Sequence, residues 1–558
     1  MNILGISCFY HESAAALIRD GEIVASGALE RFSRKKHDAS FPQEVIDFCL
    51  KEGNISVDNL DYVVFYEKPF PKFERNLTMS LAYFPKSHLL FVDAMKNFLT
   101  EKLWIKSIIA SKLNMNPERI LFIPHHISHA AASYFTSPFD NAAFLTLDGV
   151  GEWTSSCWGE ASQNKLYPKQ EIRFPNSVGL IYATFTAFCG FEVNDGEYKL
   201  MGMAGYGKPI HIDKIKKLYK QYSDGSIALN LEYFAFHWSP QKMYTSKFQA
   251  LFKELNPADI AASIQACTEE IVFIMLSYIY KKTKQKQLVF GGGVALNSSL
   301  NGKIVKSTPF KDLFIFPAAG DDGGAVGAAL YVYHHVLGNP KKKSLSHVFF
   351  GKEFTGAEIE QVLKKENIQY RKLAKKKLIE YAVGKLIKGN VIGWFEGRAE
   401  FGPRALGHRS ILADPRNQKM KDIVNKKIKF REEFRPFAPA VLTEHGAAYF
   451  DINASALVPF MLATCRVKPS AKKDAPATVH VDGTSRIQRV DKDYDGRFYE
   501  LLTAFYKKTS VPILLNTSFN VKGEPIVNSP KDALNTFRNS GIDVLVLEDF
   551  IIEKQKII

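Results

Sequence analysis

Cysteine is scarce. Six thiols (Cys8, Cys49, Cys157, Cys189, Cys267 and Cys465) are spread over 558 residues with no CxxC pair. That excludes a disulfide framework and fits reduced thiols in the cytoplasm, the expected location. The start, MNILGISCFYHES, lacks the basic region of a signal peptide. No apolar run is read as long enough for a membrane span, so none is expected. Also missing is any strip of basic residues interleaved with aromatics. What is present is an ordinary globular composition, 46% hydrophobic and 23% charged, with 42 Phe to fill cores. A chain of this length exceeds one core, so at least two domains are expected. The excess of 73 basic over 58 acidic residues gives +15. Nucleic acid, an acidic membrane surface or anionic small substrates would all suit it. The lysine clusters (Lys281-Lys282, Lys341 to Lys343, Lys375 to Lys377, Lys426-Lys427) are scattered and read as solvated helix ends.

The stretch from Ile123 to Trp153 concentrates chemistry. Pro124 can open a helix, which places His125 and His129 four apart on one face. A strand follows, AAFLTL, with Asp148 at its end and then the tight turn Asp148-Gly149-Val150-Gly151. Two imidazoles and a carboxylate from consecutive elements form a partial metal shell, and the glycine turn resembles a phosphate cradle. Helix-capping or core histidines share the same spacing.

Asn2 to Ser7, Ala14 to Arg19 and Ile23 to Leu29 read as antiparallel strands, and residues 142 to 172 repeat the plan. A duplicated three-stranded unit with a polar first hairpin resembles the actin, hexokinase and heat-shock-chaperone (ASKHA) class of ATPases. The segment from 174 to 209 reads as a helix ending in a glycine-rich loop. Gly202 to Lys208 fits GxxxxGK, but Pro209 stands where the Mg²⁺-holding Ser/Thr should be and no strand leads in. A substrate-lining loop is expected there instead of a phosphate loop. Asp259 to Tyr280 reads as a long amphipathic helix. Gly291, Gly292 and Gly293 would let a nucleotide lie against the backbone, with Asn297 in the first turns of the next helix. Asp321 and Asp322 open a further helix. Capping is one role for either; a fourth metal ligand is the other.

After a polar linker (337 to 347) the sequence turns rich in Arg, Gly and Pro. Arg398, Arg404, Arg409, Arg431, Arg435, Arg466 and Arg486 lie in short irregular segments. Arg grips planar oxyanions in a bidentate fork, so Arg404, Arg435 and Arg486 suggest a phosphate or carboxylate pocket. Arg398 or Arg466 alone reads as a surface salt bridge. Asn516-Thr517-Ser518 could add neutral hydrogen bonds. His408 reads as either an acid/base group or a structural one.

Taken together, HxSAAA (11–16), ERFSRKKHDASFP (30–42), HHISHA (125–130), DGVGE (148–152), KLMGMAGYG (199–207), GGGVALN (291–297), GDDGGAVGAA (320–329), FGPRALGHRSILADPR, FRPFAP and LLNTSFNVKGEPIV resemble the O-carbamoyltransferases that modify nodulation factors, cephalosporins and aminoglycosides. The resemblance spans nearly the whole chain. It implies an α/β protein with an ASKHA-type transfer domain over 1–345 and a YrdC-like domain over 346–558. The second domain would convert carbamoyl phosphate and ATP (with Mg²⁺) to carbamoyl adenylate; the first would pass the carbamoyl group to a hydroxyl of a sugar or natural product. By motif, His125, His129, Asp148 and Asp321 would hold a divalent metal, Fe²⁺ in relatives, with Asp321 favoured over Asp322 by register. Arg404, Arg435 and Arg486 would bind carbamoyl phosphate. Lys36, Asp148, Gly149, Gly151, Gly292, Gly293, Asn297, Asn516 and Ser518 would line nucleotide sites, and His11 would stand near the acceptor hydroxyl. His11, Arg404 and Arg435 are the catalytic candidates. A homo-oligomer is compatible with this reading.

Two alternatives keep parts of the pattern. Carbamoyl transfer to tRNA, as in threonylcarbamoyladenosine formation, gains support from the net charge but not from its dispersed placement. A nucleotide-dependent switch has no use for an arginine-rich second site.

Overall fold

The structure is a computed structural model that describes residues 1–341, 344–452 and 456–554; Lys342 and Lys343 of the expected linker lie outside the described residues. The chain divides into two compact units, Met1–Ser26 with Ala39–Leu345, and Gly27–Asp38 with Ser346–Ile558. The second unit thus takes in a short N-terminal segment besides the expected 346–558.

In the first unit β1 (Asn2–Ser7), β2 (Ala14–Arg19), β3 (Glu22–Ala28), β4 (Tyr62–Phe65) and β5 (Ile120–Phe122) form a sheet of order β3-β2-β1-β4-β5. Strands β1 and β2 are antiparallel, whereas β4 runs parallel to both β1 and β5. The plan recurs with β6 (Asn141–Leu147), β7 (Thr154–Ser162), β8 (Lys165–Arg173), a separate hairpin of β9 (Tyr219–Gln221) and β10 (Ile227–Leu229), then β11 (Gln287–Gly291) and β12 (Asp312–Ile315). Its order, β12-β11-β6-β7-β8, is that of the first sheet read backwards. The duplicated ASKHA architecture expected from the strand pattern is therefore present. Antiparallel hairpins cost only a tight turn, while the parallel fourth and fifth strands need the long helical crossovers.

Two helices lie between the sheets' first strands. His125–Thr136 is buried along its whole length, and Asp321–Tyr331 packs on it and on β1. Their approach depends on missing side chains. A Cβ on Gly327 would lie 1.8 Å from the Ser128 carbonyl oxygen, and one on Gly5 would lie 1.8 Å from that of Ala325. Backbone meets backbone at these points, and only glycine allows it.

Two expectations need correction. Residues Glu197–Ala204 form a helix, so the glycine-rich stretch is not a loop until Gly205. A Cβ on Gly207 would lie 1.9 Å from the Ala258 carbonyl oxygen, and the Lys208 amide donates to Asp259 Oδ1 at 2.7 Å. These groups seat the stretch on the start of a long helix. That helix, Pro257–Thr283, is by length and hydropathy able to cross a bilayer, contrary to expectation, but 72% of its most apolar stretch is buried within the protein.

The second unit is built on a mixed eight-stranded sheet. In chain order its strands and those of a small three-stranded sheet are β13 (Arg371–Lys372), β14 (Ile392–Phe395), β15 (Arg409–Ala413), β16 (Ala438–Leu442), β17 (Phe450–Asp451), β18 (Thr464–Val467), β19 (Thr484–Arg486), β20 (Gln488–Val490), β21 (Ile513–Ser518), β22 (Val544–Leu547) and β23 (Phe550–Glu553). The large sheet runs β13-β23-β22-β14-β15-β21-β16-β20, and β17-β18-β19 form the small one. Both faces of the large sheet are covered. Ile392, Trp394, Val544 and Val546 point into one core, and Phe395, Leu545 and Leu547 into the other. This period-two split explains the continuous apolar runs.

Candidate metal centre and anion site

His125 and His129 project from the buried helix with their Nε2 atoms 3.1 Å apart. Asp148 Oδ2, from the end of β6, lies 3.4 Å from His125 Nε2 and 3.0 Å from His129 Nε2. Asp321 Oδ1 lies 3.6 Å from each. All four ligand atoms fall within 4.8 Å of one another. Two donors about 2.1 Å from one ion and about 90–110° apart are about 3.0–3.4 Å apart, so the imidazole pair fits a shared divalent ion. Asp322 stands apart: its Oδ1 accepts from the Gly323 amide at 2.9 Å, and it is not among the clustered ligands. Gly320 occupies the N-cap position, so neither aspartate is needed as the cap.

The electrostatics favour positive charge at the cluster. Burial alone would lower His129, but the hydrogen bonds and charges of Asp148 and Asp321 outweigh it and push it up to about 10. Burial would raise Asp148, yet the two imidazoles hold it well below the ordinary carboxylate range. Two carboxylates in a buried space with two imidazoles are stabilised by positive charge, from protons or from a metal. His126, between the ligands, is different. It bonds Thr146 Oγ1 at 2.8 Å and the Thr154 carbonyl at 2.9 Å, and burial lowers it to about 3. It is a neutral core histidine.

The surroundings hold the ligands in place. Glu152 Oε1 accepts the His125 amide at 3.0 Å. Arg75 Nη1 donates to the Gly151 carbonyl at 2.6 Å, fixing the turn after Asp148. A Cβ on Gly151 would come within 2.8 Å of the His125 ring. Gly149 donates to Asp148 Oδ1 at 2.7 Å. His11 Nε2 lies 3.7 Å from Asp321 Oδ2, at the edge of the cluster.

The glycine triplet serves internal packing more than the sequence suggests. A Cβ on Gly291 would stand 2.9 Å from the His129 carbonyl oxygen, and one on Gly292 (φ +87°) would stand 2.3 Å from that of Leu147. Only Gly293 faces the cluster, with its absent Cβ 3.2 Å from Asp148 Oδ1. Asn297 caps helix Ser298–Ser307 through Leu300 N and exchanges two amide bonds with Gln265. Its side chain is engaged in structure.

In the second unit the sequence reading missed a buried lysine. Lys429 is 4% exposed and its Nζ bonds the Ser518 carbonyl at 2.8 Å, Ser518 Oγ at 3.1 Å, the Asn520 carbonyl at 2.7 Å and Asn520 Oδ1 at 2.5 Å. Burial, with Arg431, Arg435 and Lys36 nearby, pulls it well below an ordinary lysine despite the opposing charge of Glu524. Cations crowded around a buried amine make a site for an anion. Lys36 enters this unit on the segment Gly27–Asp38. There Arg34 donates to the Pro525 and Ile526 carbonyls at 2.9 and 2.7 Å, and Arg31 to that of Gly402 at 2.8 Å.

Arg404 lies on the loop between β14 and β15, and Glu400 Oε1 shapes it by accepting the amides of Leu406, His408 and Arg409 at 2.7, 2.9 and 3.2 Å. Buried Asn516 spans from the Ala405 carbonyl (3.3 Å) to Gln488 Oε1 (2.7 Å), tying the backbone beside Arg404 to the strand after Arg486. Its Nδ2 is therefore committed to the protein, while its buried Oδ1 has no hydrogen-bond partner among the described residues. Ser518 Oγ lies on Lys429 and Asn520.

Three other candidates make internal contacts. Arg409 is fully buried, donates to the carbonyls of Glu396, His408, Lys352 and Gly397, and stacks 3.5 Å over Phe395. Arg398 bonds the Phe350 and Gly351 carbonyls. His408 stacks on Phe349 at 3.6 Å and bonds the Arg398 carbonyl, and burial lowers it to about 4.

Comparison with known proteins joins these observations to a family. The family model described as Carbamoyltransferase N-terminus matches residues 2–330, and Carbamoyltransferase C-terminus matches residues 383–554. An uncharacterized protein of Synechocystis sp. is 43% identical, covering 99% of this chain and 97% of its own length. Nodulation protein NolNO of Sinorhizobium fredii is 34% identical, covering 98% of this chain and 79% of its own. The 3'-hydroxymethylcephem-O-carbamoyltransferase of Amycolatopsis lactamdurans is 32% identical over 47% of this chain and 48% of its own. Both halves match in sequence order, and the chain belongs to the carbamoyltransferase family of enzymes.

Proposed function

We propose that the protein is an ATP-dependent O-carbamoyltransferase working in two steps, one in each unit. The carrying observation is the His125, His129, Asp148 and Asp321 cluster, which suits a divalent cation beside His11. The name of the Amycolatopsis relative supports a hydroxyl acceptor.

In the second unit, read as YrdC-like, water cleaves carbamoyl phosphate to carbamate and phosphate. A carbamate oxygen then attacks the α-phosphorus of Mg²⁺-bound ATP, forming carbamoyl adenylate as pyrophosphate leaves. Arg404, Arg435 and Arg486 grip the carbamoyl phosphate oxygens. Lys429, with Lys36 and Arg431 near it, offsets the charge that grows on the departing phosphates. Ser518 and Asn520 aim Lys429.

In the first unit, the acceptor oxygen attacks the carbamoyl carbon and the bond to AMP breaks. His11 Nε2, the ring atom turned toward the cluster, takes the hydroxyl proton. Held by His125, His129, Asp148 and Asp321, a divalent ion such as Fe²⁺ supplies Lewis acidity toward carbamoyl and phosphate oxygens. Arg75 and Glu152 keep the turn and helix that carry the ligands in register.

The test uses purified full-length protein with carbamoyl phosphate, ATP and a panel of sugars and hydroxylated natural products. One acceptor should gain a carbamoyl group by mass spectrometry while AMP accumulates. ADP in place of AMP would refute the adenylate route.

A further inference from the structure

The second unit holds a carboxamide whose orientation its neighbours dictate. Gln488 and Asn516 are each 1% exposed. Gln488 Nε2 donates to the Leu406 carbonyl at 2.7 Å, which leaves its Oε1 as an acceptor. Asn516 Nδ2 donates to that Oε1 at 2.7 Å and to the Ala405 carbonyl at 3.3 Å. A carbonyl cannot donate, so turning either amide over would set oxygen against oxygen. Asn516 Oδ1 is thereby fixed as an acceptor. It is closed to water and has no hydrogen-bond partner among the described residues.

A buried acceptor left without a donor costs stability, and nearly all such atoms in folded proteins find a partner. Position narrows the choice of donor. Ala405 directly follows Arg404, and Gln488 stands two residues beyond Arg486. The Asn516 carboxamide thus bridges the backbones that carry two of the three arginines read as gripping carbamoyl phosphate. Phosphate oxygens only accept, so they cannot serve Oδ1. In ATP the N–H groups sit on adenine, at the end remote from the phosphates. In carbamoyl phosphate an –NH2 group lies beside the phosphate itself.

We infer that Asn516 Oδ1 accepts a hydrogen bond from the carbamoyl –NH2 and so selects carbamoyl phosphate over acyl phosphates that lack an N–H. Asn516 is then a specificity-determining residue for the carbamoyl donor, in place of the nucleotide contact that its motif suggests. A methyl group at the same place would leave the oxygen desolvated and unpaired, and a site built to bond an N–H rejects the analogue without it. This inference rests on the reading of Arg404, Arg435 and Arg486 as the carbamoyl phosphate site.

Titration calorimetry on the full-length protein tests it with two stable phosphonates of nearly equal size. Phosphonoacetamide ends in –CO–NH2 and acetonylphosphonate in –CO–CH3. The wild type should bind phosphonoacetamide tighter by about tenfold or more. Asn516→Ala should weaken phosphonoacetamide by about tenfold or more and leave acetonylphosphonate near its wild-type affinity, so that the preference disappears. A circular dichroism melt like that of the wild type shows that the variant is folded; if it is not, Asn516→Val takes its place, and if neither folds the wild-type pair of ligands decides. Equal wild-type affinities for the two phosphonates would overturn the inference and leave the arginine site standing. A folded variant that keeps the preference would also overturn it, as would one that loses affinity for ATP but not for phosphonoacetamide, which returns Asn516 to the nucleotide. Binding of neither phosphonate would overturn the arginine-site reading and this inference with it.

Discussion

Lys429 and His129 mark the two ends of the proposed chemistry, and each can be removed alone. His129→Ala leaves Asp148 and Asp321 with one imidazole, so bound metal should fall at least about tenfold by elemental analysis. Undiminished metal content would refute the ligand set. Lys429→Ala leaves buried oxygens of Ser518 and Asn520 without their donor and takes the amine from the proposed anion site. Carbamoyl-phosphate-dependent pyrophosphate release should drop by about 100-fold or more, while metal content stays at the wild-type value. Wild-type release would remove Lys429 from the site. These residues also differ in how legible they were. His125 and His129 share one helix, so their spacing alone put them together. Lys429 becomes a site residue only because Phe430 turns left-handed (φ 48°) and a loop 89 residues further on wraps the amine. Nothing local in a lysine-rich stretch signals that burial. Position in motif suggests nucleotide roles for Asn297 and Asn516; in the fold Asn297 pairs with Gln265, and Asn516 Nδ2 donates to Gln488 and Ala405.

At the level of elements, the His125, His129, Asp148 and Asp321 cluster exists because helices His125–Thr136 and Asp321–Tyr331 touch along their backbones. Gly327→Ala would place a methyl group 1.8 Å from the Ser128 carbonyl oxygen. The helices must separate, so about 1–3 kcal/mol of stability should be lost, and metal affinity should fall although no ligand is changed. Thermal melts and elemental analysis on the same sample check both; unchanged values would mean that the contact is not what sets the spacing. Alternating strand patterns made the duplicated sheets readable in advance, because a half-repeat of three antiparallel strands is local. The helix Glu197–Ala204 was not readable, since Gly202 and Gly205 suggest a loop until the Gly207–Ala258 contact is known.

For the molecule as a whole, the division of the chain into two compact units is the main feature, and the second unit carries a pH signature of its own. Burial and the nearby Glu548 push Glu396 up to about 8, with Arg497 only partly compensating. Its carboxyl is neutral in the fold and charged in the unfolded chain at neutral pH. The native state therefore binds the extra proton, and stability is lost as pH rises from the ordinary carboxylate range through about 8. Glu396→Gln should flatten that decline and gain about 1–3 kcal/mol at alkaline pH, read from denaturant curves across pH. A parallel decline in the variant would place the titrating group elsewhere. The segment Gly27–Asp38 could not be assigned from sequence order, because its membership in the second unit is fixed by carbonyls near positions 402 and 525.

The two-step account is tested most directly by following pyrophosphate release and acceptor carbamoylation in the wild type, Lys429→Ala and His129→Ala proteins supplied with carbamoyl phosphate and ATP. The wild type should do both, Lys429→Ala neither, and His129→Ala should release pyrophosphate but carbamoylate nothing. Loss of pyrophosphate release in His129→Ala together with its retention in Lys429→Ala would contradict the account.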